Sequence, residues 1–119
     1  MAEIRESISF NIIRNTLIVV LPIDISDEDM DYLQIKLLTK LEEQNITGVI
    51  LDLLMIELVD SFLARMIAET NHMISLMGCK SVIVGMRPNI AITTIELGLN
   101  LGNTLYALNL DKGLDLLEF

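Results

Sequence analysis

The chain has 119 residues, 52% apolar and only 4% aromatic, with a formal charge of −9 from eight Lys/Arg against 17 Asp/Glu. That length suits one α/β-sized domain with a real core, taken here as residues 1–119. The acidity and the scatter of basic residues from Arg5 to Lys112 speak against a nucleic-acid partner, and a single cysteine, Cys79, excludes an internal disulfide and points to a reducing cytoplasm.

Ser9–Ile13 and Thr16–Ile23 are apolar and β-branched, and Arg14-Asn15 between them predicts a hairpin turn. Ser26 has the place of a helix N-cap, with Asp29 three positions on and Asp27 and Glu28 at the positive end of the helix dipole. Met30, Leu33, Leu37, Leu38 and Leu41 follow at helical spacing, which predicts a helix over 27–44 with Glu42, Glu43 and Gln44 outward. Thr47–Leu53 is a short apolar run that reads as a central strand covered on both faces. Leu54–Val59 is a loop. A second helix opens at Asp60 or Ser61, runs to Met77 and stops at Gly78, with Leu63, Met66, Ile67, Ile74 and Met77 inward.

Ser81–Met86 is a further buried strand, and two such strands joined by a helix form a right-handed βαβ unit. Pro88 starts a third helix through Ile90–Ile95, despite the β-branched run there. Thr104–Leu108 reads as an edge strand. Asn109 or Asp111 caps a final helix ending near Glu118, weakened by about 1 kcal/mol by Gly113. The order β-β-α-β-α-β-α-β-α describes an α/β fold, a small mixed sheet with about four helices.

A mean hydropathy of +0.55 is high for such a chain. The longest uncharged run, Leu97–Leu110, is interrupted by glycine and asparagine and falls short of the about 18–20 apolar residues a membrane span needs. Met1–Ser9 carries Glu3, Arg5 and Glu6, unlike a secretory signal.

The residues offer little to an enzyme. His72 is the single histidine, so His/Cys zinc spacing is absent and no metal or cofactor site is expected. Ser61 and His72 are eleven positions apart on one predicted helix, about 16 Å at 1.5 Å per residue, so they form no catalytic pair. No phosphate-binding glycine loop follows a strand. Asp52 and Asp60 near strand and helix ends are common placements for acids, and no catalytic residue is expected. His72 reads as a solvated residue beside Arg65 and Glu69, and Cys79 as a small hydrophobe at a strand start. The five acids within Asp24–Asp31 read either as helix capping and a solvated face or as steering for a basic partner.

The most informative stretch is Glu57-Leu58-Val59-Asp60-Ser61-Phe62, where a serine enters a helix N-terminus. Its plain reading is an N-cap worth about 1 kcal/mol. Its functional reading is a phosphorylation switch: the phosphate meets repulsion from Asp60 and Glu57 and attraction from free helix amides. Local folding then survives while surface potential changes, which suits regulation of a contact.

Leu51-Asp52-Leu53, Val59-Asp60-Ser61-Phe62-Leu63-Ala64-Arg65, Met77-Gly78 and the stretch Val84-Gly85-Met86-Arg87-Pro88-Asn89-Ile90-Ala91-Ile92-Thr93-Thr94-Ile95-Glu96-Leu97-Gly98 resemble the STAS domain family over nearly the whole chain. Phe62-Leu63 after the serine, in place of the Ser-Gly of simpler antagonists, matches the scaffold branch of the bacterial stressosome. The resemblance implies a non-catalytic scaffold with no cofactor, in a large cytoplasmic hetero-oligomer with an RsbR-like sensor paralogue that ends in a STAS domain. It implies an RsbT-like serine/threonine switch kinase that phosphorylates Ser61 and leaves to start a stress-response, sigma-factor pathway, and a phosphatase that resets the scaffold. Asp60 then sets the local charge and cap, Phe62 and Arg65 lie near the kinase contact, and Glu57 and Asp24 occupy loops at the same sheet end. Leu54-Met55 stand where the family often has small polar residues, which points to a loop that packs differently or presents another partner surface. The alternative within the family is a monomeric anti-sigma-factor antagonist with the same serine chemistry; a small-molecule binder or enzyme, which would need a deep, partly polar pocket with convergent groups, is the alternative outside that class. The surplus apolar content divides between an aliphatic interior and surface for neighbouring STAS subunits.

Overall fold

The computed structural model describes residues 8–101 and 104–117. Arg14 and Asn15 both take left-handed backbone, φ 50 and 64, as a two-residue hairpin turn between right-twisted strands requires. They join β1 (Ser9–Ile13) to β2 (Thr16–Val20), the antiparallel pair of the sheet. The second strand is shorter than the predicted Thr16–Ile23. Leu21 N–H still reaches Asp52 O at 3.1 Å, and Pro22, whose ring fixes φ at about −65°, follows as the chain leaves the strand.

The chain continues through α1 (Asp27–Glu43), β3 (Gly48–Asp52), α2 (Ser61–Leu76), β4 (Lys80–Val84), α3 (Pro88–Glu96), β5 (Leu105–Ala107) and α4 (Leu110–Leu117). The element order is the predicted one. The five strands lie in sequence order, and β2 to β5 run parallel. Their C-terminal ends, and the helix N-termini they feed, therefore gather along one rim of the sheet.

Period-two alternation splits the strand side chains between two cores. Leu17, Val19, Val49, Leu51 and Ile83 join Met30, Leu33, Leu37 and Leu41 of α1, Leu63, Met66, Ile67 and Ile74 of α2, and Ile90 of α3. Ile18, Ile50, Val82 and Val84 face the other way, against Leu110, Leu114 and Leu117 of α4. The central strand β3 is buried at every position, as its unbroken apolar run predicts.

Several boundaries differ from expectation. β4 begins at Lys80 and ends at Val84, not Ser81–Met86, because Gly85 at φ +72 turns the chain out of the sheet. Met77, expected inward, is 45% exposed: α2 ends at Leu76, Met77 is its C-cap and Gly78 follows at φ 81. Asn109 is the residue that caps α4, accepting from Lys112 N–H at 3.0 Å. The expected end near Glu118 lies outside the described residues. Gly113 is buried, and a Cβ there would lie 2.8 Å from Val84 Cγ1, so the glycine that weakens the helix also lets it lie close on the sheet.

A polar cluster centred on Asn71 lies inside. Asn71 of α2, fully buried, accepts from Ser81 Oγ at 2.5 Å and donates to Leu101 O at 2.7 Å and to Thr104 Oγ1. It ties α2 to β4 and to the segment entering β5. Cys79, half-buried before β4, packs on the main core as expected, with Sγ 3.4 Å from Ile46 O, and burial pushes its thiol pKa up.

Candidate functional site

The site forms on the rim where β3 hands over to α2. At the end of β3, buried Asp52 accepts from Leu54 N–H at 3.0 Å, and Leu53 N–H donates to Val84 O at 2.9 Å. The chain turns at once, with Ile56 N–H bonding to Leu53 O at 3.1 Å, and the Ile56 side chain, fully buried, plugs the loop into the core. Glu57 and Leu58 then emerge into solvent, Leu58 to 84% exposure.

Two residues at the start of α3, its N-cap Arg87 and Asn89 in its first turn, fasten this loop from outside. Arg87 donates from Nε at 3.3 Å and from Nη2 at 2.8 Å to Leu54 O, and Asn89 Nδ2 donates to Glu57 O at 2.7 Å. Arg87 is also the N-cap residue of α3, where it makes no side-chain cap bond. The approach is close because residue 85 has no side chain: Leu54 fills that space.

Asp60, not Ser61, is the N-cap of α2, with Leu63 N–H donating to Asp60 Oδ1 at 2.8 Å. Ser61 is the first helical residue and is exposed. Its hydroxyl takes no part in the cap. Phe62 is 41% exposed, and Arg65, one turn on from Ser61, is exposed as well.

The β2–α1 loop comes to the same place. Ser26 and Asp29 form the expected reciprocal cap, Asp29 N–H to Ser26 Oγ and Ser26 N–H to Asp29 Oδ2, both at 3.1 Å. A cavity of about 210 Å³ lies between this loop and α2, lined among others by Asp24, Ser26, Leu58, Asp60 and Leu63. Asp24 and Asp60 thus share one surface, and Glu57, Ser61, Phe62 and Arg65 lie in the adjoining loop and first turns of α2. All six are exposed. Sequence reasoning missed Arg87 and Asn89 as loop holders. Their signal was their place in the Val84–Gly98 stretch that carries the family resemblance, which did not reveal this role. His72 is exposed near the far end of α2, eleven residues from Ser61 on one unbroken helix, about 16 Å away.

A mixed sheet in this order, a serine at the first position of the helix after its central strand, and a Gly-x-Arg-Pro turn beside it define a class. The STAS domain model matches residues 7–108, and the chain belongs to the STAS domain family. Within the family it is similar to RsbS of Moorella thermoacetica, solved as a serine-to-glutamate variant: 30% identical over 93% of this chain and 94% of that one, TM-score 0.83. It is also 31% identical, over 92% of this chain and 95% of that one, to a chain in the structure of the stressosome, described as a signal integration and transduction hub, at TM-score 0.82. The RsbT co-antagonist protein RsbRB of Bacillus subtilis is 26% identical over 102 residues, which is 86% of this chain and 37% of that protein. The chain spans 24–59% of the length of the curated relatives it matches. Among the described residues no helix is long and apolar enough to cross a membrane.

Proposed function

We propose that this chain acts, as one STAS unit over residues 1–119, as a non-catalytic scaffold of stressosome type. It holds an RsbT-like serine/threonine switch kinase in the cytoplasm, is phosphorylated on Ser61, and releases the kinase to a stress-response pathway. An RsbR-like paralogue co-assembles with it, and a phosphatase resets it.

The observation that carries this reading is the division of labour at the start of α2. Asp60 makes the cap, and Ser61 beside it is exposed with its hydroxyl outside the cap bond. A modified Ser61 therefore leaves the helix start intact. Its phosphate would add about −1.5 to −2 charges. Helix amides favour it locally, while Asp24, Glu57 and Asp60 already make the rim acidic. The net effect falls on the outward potential, where a docked partner feels it. The likeness to RsbS, to the stressosome chain and to an RsbT co-antagonist supports the choice of partner.

The test is to incubate the chain with an RsbT-like kinase and Mg-ATP and to map phosphate by mass spectrometry. Modification of Ser61, with Ser61→Ala folded, unmodified and still retaining the kinase, is the expected result. Phosphate found only on other residues overturns the assignment.

A further inference from the structure

The bonds that Arg87 and Asn89 give to the β3–α2 loop lie on the surface. Both residues are exposed, and so are Leu54 and Glu57, whose carbonyls they hold. Water can serve an exposed carbonyl in place of a side chain, so these bonds add little to folding stability. The start of α3 gives up its own capping to make them. Asparagine is among the best N-cap residues, yet Asn89 stands second in the helix, and the N-cap is Arg87, which makes no side-chain cap bond. A cation there also opposes the helix dipole, and no acidic residue in the first turn offsets it. Where a local rule is broken without a gain in stability, function is the expected reason.

We propose that Arg87 and Asn89 are positioning residues for the phosphorylation of Ser61: they hold the loop over 54–58 in the shape on which the kinase docks. In that step Ser61 Oγ bonds to the γ-phosphorus of ATP and the bond from that phosphorus to the β–γ bridging oxygen breaks. ADP leaves, and the hydroxyl proton passes to a base on the kinase. Ser61 itself does not depend on the loop, because buried Leu63 and Ala64 anchor the first turn of α2 and Asp60 caps it. The loop ahead of it has fewer ties. Of residues 54–59 only Ile56 is buried. The two clamps fall on either side of it, Arg87 on Leu54 O and Asn89 on Glu57 O. They fix the backbone from which Met55, Glu57 and Leu58 stand out into solvent, just ahead of Ser61 in the chain. A surface loop already held in its docking shape spares a partner the cost of ordering it. The gain therefore falls on kinase docking and not on the chemical step.

This inference deepens the Ser61 proposal and rests on it. The test uses the full chain, an RsbT-like kinase and Mg-ATP, with initial rates of Ser61 phosphorylation read by mass spectrometry at varied chain concentration. Asn89→Ala and Arg87→Met remove the side-chain donors, and Arg87→Lys keeps donors at that position. Far-UV circular dichroism and thermal unfolding confirm that each variant folds as the wild type does. Asn89→Ala and Arg87→Met are expected to raise KM at least about fivefold with kcat within about twofold, and Arg87→Lys to recover part of the loss. Hydrogen exchange of the Met55, Glu57 and Leu58 amides should rise in the same two variants with no kinase present. An unchanged KM in both variants overturns the proposal, whether or not exchange rises. A fall in kcat alone overturns it too, as does an Arg87→Lys variant no better than Arg87→Met. Loss of the fold in either variant would give the bonds a structural role and likewise overturn it. A wild type modified only on other residues overturns the Ser61 reading and this inference with it, whereas a wild type modified on Ser61 at the same KM as its variants sinks this inference alone.

Discussion

Leu54 occupies the space that a side chain on residue 85 would need. A Cβ on Gly85 would lie 2.8 Å from Leu54 Cδ2 and 3.0 Å from the Leu54 backbone nitrogen, and Gly85 holds φ at +72°. Leu54, two residues beyond the end of β3, serves here as packing against the β4–α3 turn. The same turn supplies Arg87, and the first turn of α3 supplies Asn89, to the loop that leads into Ser61.

Gly85→Ala is expected to destabilise the chain by about 2–4 kcal/mol, from the left-handed backbone and from overpacking against Leu54. Leu54→Ala in the same chain should recover the packing part and leave the backbone part. Urea unfolding of the single and double variants measures both. If Gly85→Ala is neutral, the close contact has no energetic weight.

Asp60→Ala is expected to cost about 1 kcal/mol through loss of the α2 cap. Ser61→Ala should stay within about 0.5 kcal/mol of the wild type, as an exposed change outside the cap does. Equilibrium denaturation at unchanged slope separates the two. Equal losses would make Ser61 a structural residue and remove the argument that its hydroxyl is free for modification.

Asn71→Leu should be among the most destabilising conservative-size changes, about 2–4 kcal/mol. It strips partners from Ser81 Oγ, Leu101 O and Thr104 Oγ1 in a buried place. Thermal unfolding gives the loss, and hydrogen exchange near residues 101 and 104–107 should rise with it. A neutral Asn71→Leu would mean that apolar packing replaces the cluster at no loss.

Cys79 should react slowly with iodoacetamide in the native chain and quickly in urea. Burial disfavours its thiolate and raises its pKa. The sign for stability follows from that direction. A folded-state pKa raised above the unfolded one contributes stability that is fully present below the unfolded thiol pKa and is lost as pH rises through the folded one. Alkylation followed by mass spectrometry against pH checks it. Equal rates in the native and unfolded chain would contradict the burial.

Most of the fold was legible because single residues carry strong local signals. Arg14-Asn15 marks the hairpin, Ser26 with Asp29 marks the start of α1, and β-branched Ile50, Val82 and Val84 mark buried strands. Boundaries slipped where a glycine or proline marks the end of an element and neighbouring side chains do not: β2 stops before Pro22 and Gly85 ended β4 early. The candidate site was half legible. Ser61 and Asp60 stand out at a helix start, but which of them caps depends on backbone placement that spacing cannot settle within one residue. Arg87 and Asn89 were invisible in their role, since their acceptors are backbone carbonyls more than thirty residues away in the chain. Asn71 was equally hidden, because an asparagine mid-helix reads as solvated until its partners in β4 and before β5 are known.

With β2 to β5 parallel, every loop that enters a helix after a strand opens on the same rim, while nearly all the packing lies below it. Recognition and endurance are therefore written in separate stretches of chain. Descendants of this sequence can exchange loop residues such as Leu58 or Asp24 to suit a different associate and leave the strand interiors untouched.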